Sequence, residues 1–187
     1  MKHLGLASFI ALAATIGPAA AMESSVTAYV NSEVRDWFSV PQVLDAIAAS
    51  NARTAGMTQN EILALDAQWT AEVGTNSILI DRILGSAVSD YLRAQVEATG
   101  GLVTEVIVMD AKGLNVAISD VTSDIYQGDE AKHQETFMVG PDAIHVSDVE
   151  FDESVQSYQM QVSFTVVDPT SGIPTGAVTI GLNAEMF

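Results

Sequence analysis

Asp129, Glu130 and His133 fall at helical spacing, with Asp120 and Asp124 just upstream. Carboxylates and an imidazole one helical turn apart are residue types that take a divalent cation. The same pattern also describes a solvated helix face closed by an Asp129–His133 hydrogen bond, so no metal ligand is assigned. A second acidic run, Asp148, Glu150, Asp152 and Glu153, lacks the glycine and the spacing of a calcium-binding loop and reads as a strand end and turn. His145 is a lone histidine in a strand pattern, a structural position. No Gly-x-Ser-x-Gly, His-Glu-x-x-His or phosphate-cradling glycine loop occurs, so no catalytic residue is assigned and no enzymatic activity is expected. Tyr126 lies in a polar stretch, where an aromatic ring can wall a pocket. Trp37, Trp69 and Tyr91 sit on apolar helical stripes and read as core.

Composition narrows the field further. Of 187 residues, 7 are basic and 24 acidic, a formal charge of −17. Such a chain is repelled by nucleic-acid phosphates and anionic lipid heads, so neither is expected as a partner. The absence of cysteine excludes disulfide scaffolds, zinc-thiolate sites and thiol catalysis. Residues 1–21 read as a signal peptide. Lys2 and the α-amine make the positive start, Leu4–Ile16 the apolar run, and Pro18-Ala19-Ala20-Ala21 the small-residue cleavage site before Met22. That apolar run is shorter than the roughly 20 residues a bilayer requires. A secreted or periplasmic protein is therefore expected, with 22–187 as one domain and no insertion into the membrane. An apolar content of 48% is enough for a packed core.

The elements that would position these groups fall into two parts. Over 22–99 the spacing predicts helices. Val26, Val30, Val34 and Trp37 form one stripe, Pro41 opens a second helix, and Thr58-Gln59-Asn60-Glu61 has the capping-box spacing. A long helix is predicted from Thr75 to Ala98, ended by Gly100-Gly101. Over 102–187 the pattern turns to strands. A hairpin, Thr104–Met109 and Leu114–Ser119, closes on Asp110–Gly113. A short helix is predicted near Asp129–Phe137, then strands at Ile144–Phe151, Val155–Val167 and Gly176–Asn183. Strict alternation predicts one apolar sheet face against the long helix. The opposite face, Asn115, Ala117, Ser119, Gln161, Ser163, Ala177, Thr179 and Gly181, is small, polar and uncharged. A face bathed in water on so acidic a protein should carry charge. This one is expected to be roofed by 120–143 and hollow, the condition for a polar ligand.

The hairpin Thr104–Ser119, the block Asp120–Phe137 and the closing strands, with Val166-Val167-Asp168 and Pro174-Thr175-Gly176-Ala177-Val178-Thr179-Ile180-Gly181, together resemble a single Cache (PDC-type, PAS-like) sensor domain across about 75–185. The resemblance implies an α+β fold, with long N-terminal helices packed on a five-stranded antiparallel PAS/Cache-like sheet. It implies an extracytoplasmic small-molecule-binding sensor that uses no cofactor. Its ligand would be a small polar metabolite, held by Ser119, Asp124, Tyr126, Asp129, Lys132 and His133 from the cover and by Gln161 and Ser163 from the sheet. The arginine before an aromatic pair that amino-acid-binding members carry is replaced here by Ser123 and Ile125-Tyr126. A membrane-bound sensor kinase or chemoreceptor is the expected partner. Two other readings stand beside this one: a ligand-free interaction module, which forms a homodimer through the long helix or docks on a membrane receptor, and a divalent-metal binder.

Overall fold

The computed structural model describes residues 17–152 and 156–187. The charged and apolar parts of the expected leader (1–16), Glu153 of the acidic run and Val155, the expected start of a strand, lie outside the described residues. The chain is an α+β fold. Helix α1 (Pro18–Tyr29) takes in the expected cleavage position and passes into a π-helical turn (Val30–Val34) and a 3-10 turn (Arg35–Phe38). Then come α2 (Pro41–Thr54), α3 (Gln59–Glu72), α4 (Ile78–Leu84) and α5 (Ala87–Ala98). The sheet part contains β1 (Val103–Asp110), β2 (Asn115–Ile118), the short α6 (Ala131–Gln134), β3 (Ile144–Val146), β4 (Glu150–Asp152), β5 (Ser157–Val167) and β6 (Pro174–Asn183). No helix among the described residues is long and apolar enough to cross a membrane.

The strands are antiparallel in the order β2-β1-β6-β5-β3, with β4 pairing the far end of β5, so six strands fill five positions. The single strand expected over Ile144–Phe151 is split. The Ser147 N–H donates to the Gln161 carbonyl at 2.9 Å, and the Ser147 hydroxyl, not its backbone carbonyl, accepts from the Gln161 N–H at 2.8 Å. A side chain thus takes over one rung of the ladder, and the backbone turns away.

Several local signals have their predicted effect. Thr58 and Glu61 form a reciprocal capping box at the start of α3. Pro41 occupies the first turn of α2, where its missing N–H is not needed. Gly100 and Gly101 take φ of 63° and 95° at the end of α5, a conformation that suits glycine. The long helix differs from expectation. It breaks into α4 and α5 at Gly85-Ser86, because the Ser86 and Ser89 hydroxyls offer the backbone other partners. Ser86 caps α5 through the Ser89 N–H, and the Ser89 hydroxyl donates back to the Ile83 carbonyl. Leu79, Ile80, Ile83, Val88 and Leu92 of this segment are all buried in the fold.

One sheet face packs on α1, the turns after it, α2 and α5, through Val106, Val108, Met160, Val162, Phe164, Val166, Val178, Ile180 and Leu182. The other lies under α3, α4 and the 120–143 cover, with Ile107, Met109, Ile118 and Ala177 against Ile62, Trp69, Ile80, Ile83 and Ile125. The expected alternation holds in β5 and β6 and inverts in β2. A bulge opposite Val108/Met109 aligns Ala117 with Val108 and Ile118 with Ile107. With a side-chain period of two, this one-residue slip sends Ala117 to the α1 face and Ile118 to the covered face.

Candidate functional site

The covered face is closed in two ways. On the β1–β2 side Ile107, Met109 and Ile118 fill it. On the β5–β6 side the polar side chains satisfy one another. Ser163 and Thr179 share a hydrogen bond of 2.9 Å, Gln161 Nε2 donates to Glu105 Oε1 at 2.8 Å, and Thr165 donates to the Gly140 carbonyl at 2.7 Å. The hollow expected across this face is therefore absent at Gln161 and Ser163. Ser119 accepts from the Val106 N–H at 2.8 Å and ties the hairpin end to β1.

A cleft of about 370 Å³ opens instead at the end of the hairpin, where the cover meets the β1–β2 turn and the start of α3. Its walls include Ile62, Lys112, Tyr126, His133 and Met138. Two close approaches shape it. Gly113, at φ +80°, lies so near Gly128 that an added Cβ would stand 2.4 Å from the Gly128 Cα. Gly128 in turn lies under the Tyr126 ring, 2.4 Å from where its own Cβ would be. The cover is anchored from α3: Asp66 Oδ1 accepts from the Ile125 and Tyr126 N–H groups at 3.0 and 2.9 Å, and Trp69 Nε1 donates to the Thr122 carbonyl at 2.8 Å.

Of the cover residues singled out in the sequence, Tyr126 and His133 line this cleft. Lys132 lies beside it and is engaged elsewhere, with Nζ 2.9 Å from Gln127 Oε1 and 3.1 Å from Glu130 Oε2. Asp124 works as a brace. Its carboxylate accepts from Gln127 Nε2, and its carbonyl from Asn115 Nδ2 at 3.1 Å. Asp129 is exposed and forms neither hydrogen bond nor ion pair among the described residues. The i, i+4 pairing with His133 does not form because α6 begins only at Ala131. Among the described residues no three His, Asp or Glu side chains converge as cation ligands. His145 pairs with Glu135 at 3.3 Å. Lys112 was not singled out in the sequence. It is one of only 7 basic residues and sits in a recognised turn, and that scarcity was the available signal.

His133 is the most unusual group here. It is 2% exposed, stacks on Phe137 with centroids 5.3 Å apart, and neither ring nitrogen has a hydrogen-bond partner. Burial, the largest influence, pushes its pKa below the usual histidine value, and the nearby Asp110 carbonyl and carboxylate act in the opposite direction. The unfolded chain, with an ordinary pKa near 6.5, then binds a proton more readily than the folded one. Stability from this group is complete above about pH 6.5 and falls as acidity carries the solution below that value. Urea titrations at pH 7.5 and 5.0 are expected to show a smaller loss on acidification in His133→Phe than in the parent. An equal loss in both would place the acid sensitivity elsewhere.

No protein-family model matches the chain, and no curated protein matches it in sequence. Solved structures do. The ligand-binding domain of the Campylobacter jejuni chemoreceptor Tlp3, in complex with L-valine, is 14% identical, with a TM-score of 0.42 over 92% of this chain and 66% of that one. The sensor domain of the Vibrio cholerae histidine kinase DctB is 11% identical, with a TM-score of 0.38 over 85% of this chain and 57% of that one. The ligand-binding domain of the Pseudomonas aeruginosa amino acid chemoreceptor PctC, in complex with GABA, is 13% identical, with a TM-score of 0.39 over 68% and 57%. The chain spans less than two thirds of the length of each of these structures.

Proposed function

We propose that the chain is an extracytoplasmic Cache-type sensor module, exported by a leader over residues 1–21, that binds a small polar metabolite in the hairpin-end cleft and reports occupancy to a membrane-bound sensor kinase or chemoreceptor. The observation that supports this reading is the company kept in the cleft. Among the described residues the Lys112 side chain forms no ion pair and no hydrogen bond, and the Tyr126 hydroxyl has no protein partner. A cleft of about 370 Å³ falls in the usual range for small-molecule sites. Polar groups left open in a partly buried cleft are costly unless a ligand or water meets them. Lys112 would donate to an acceptor or anionic group, and Tyr126 would supply both an aromatic wall and a hydroxyl. The His133 ring would form part of the cleft wall. Binding would tighten the cover onto α3 and alter the surface a receptor meets.

A thermal-shift screen of the protein against polar metabolites should find a stabiliser. Its affinity, measured by calorimetry, is expected to fall tenfold or more in Lys112→Ala and in Tyr126→Phe, and to be unchanged in Gln161→Ala. A stabiliser that binds the first two variants like the parent would remove the cleft as the site.

A further inference from the structure

Residues 128–140 form a flap of the cover, and Gly128, His133, Gln134 and Met138 of this flap line the cleft. We propose that the flap is an acid-operated gate, released from the sheet when His133 takes up a proton. The inference rests on the cleft being the binding site, but only for what the gate controls. The flap is built to be the first part to move. His133 and Thr136 are its buried residues, whereas Asp129, Gln134, Glu135, Met138 and Val139 are exposed. Within it α6, four residues long, lies on β5 and β6. At the far end Gly140 takes φ of 148° with open space where a Cβ would stand, a position able to absorb a hinge rotation. Few buried side chains and a single turn of helix mark a unit of low local stability. The stack of His133 on Phe137 is therefore a main part of what seats it.

The surroundings suit a neutral ring and not a charged one. Both ring nitrogens are sealed from water and have no hydrogen-bond partner. From β1 the nearby Asp110 is the one attraction for a proton, and its carboxylate already accepts from Ser50, Thr54, Lys112 and Leu114. From the β1–β2 turn the Lys112 ammonium shares the cleft wall and opposes a second positive charge. From α3 the wall receives Gln59 and Ile62, while Glu61 is exposed and bound to Thr58. β5 and β6 carry no charged side chain, and Tyr158, their one titratable group, lies at the end of β5 remote from Thr165 and Gly140. In the cover the Asp66 and Asp124 carboxylates are taken by the Ile125 and Tyr126 N–H groups and by Gln127. On the flap Glu130 pairs with Lys132, Glu135 pairs with His145 of β3, and Asp129 is exposed. A proton on His133 therefore puts an uncompensated charge under the flap, and opening hands that charge to water.

Hydrogen exchange on the full chain, corrected for the intrinsic effect of pH on exchange, tests the gate without a ligand. The reporters are the Gln134, Glu135 and Thr136 amides, bonded to the Glu130, Ala131 and His133 carbonyls. A histidine that gains its proton only on opening should lower their protection about tenfold between pH 7.5 and 5.5. β5 and β6 should change by less than about twofold, as elements that open only with the whole domain. His133→Phe, which keeps an aromatic ring on Phe137, and His133→Leu should each abolish the fall, whereas His145→Gln should keep it. No fall in the parent, or an equal fall in β5 and β6, would overturn the gate whatever the variants do. Persistence in either His133 variant, or loss in His145→Gln, would overturn it too. A metabolite screen without a hit leaves this result untouched, and a flap indifferent to acid leaves the cleft open to a ligand.

Discussion

Asp110→Ala is expected to destabilise the protein by about 3 kcal/mol, the typical result of leaving buried donors without their charged acceptor. The Asp110 side chain is fully buried at the end of β1 and forms no salt bridge among the described residues. Its Oδ2 accepts from the Ser50 and Thr54 hydroxyls, both at 2.9 Å, and its Oδ1 from the Lys112 and Leu114 N–H groups at 2.9 and 3.0 Å. One carboxylate therefore joins α2 to the β1–β2 turn, and with it sets where Lys112 stands. In Asp110→Asn an amide NH₂ faces donors, so a large part of the loss should persist although shape is kept. Urea denaturation measures both. A loss below about 1 kcal/mol in the alanine variant would show that the four donors find other partners.

Trp69→Ala is expected to cost about 3–5 kcal/mol, as for other large buried side chains cut to a methyl group. Trp69 is fully buried in the covered-face core and holds the Thr122 carbonyl through its indole N–H. Its removal should also free the cover before the rest of the domain. Hydrogen exchange at 120–128 should rise far more than in β5 and β6, and Trp69→Phe, which keeps much of the volume, should retain stability better but still loosen 120–128. Uniform acceleration along the chain would instead mean that Trp69 supports the whole domain and not the cover in particular.

Much of the fold could be read from local chemistry. The capping box at Thr58, the proline at the head of α2, the glycine pair after α5 and the hairpin turn all rest on residues whose backbone preferences override their surroundings. The break at Gly85-Ser86 and the slip in β2 were hidden for opposite reasons. The first depends on serine hydroxyls finding particular carbonyls, and the second on one bulge that reverses every side chain beyond it. The site divides along the same line. Tyr126 and His133 were visible because an aromatic ring and an imidazole in a polar segment signal chemistry wherever the segment lies. Gln161 and Ser163 were grouped with them by the resemblance to a Cache domain, on a face that strand alternation marked as small and polar. The structure gives them protein partners, since period two reports which face a residue is on and not whether that face is filled.

The serine that interrupts the outer strand also bears on how these molecules behave when crowded together. A sheet margin with an unbroken row of free amides and carbonyls invites a neighbour to extend it, the first step towards fibrils. Here that margin is two segments of three residues, with a hydroxyl standing in for the backbone between them. The opposite margin is only four residues long, and α4 and α5 lie against it. Neither border offers a long template, so neighbouring molecules find no long edge along which to join their sheets.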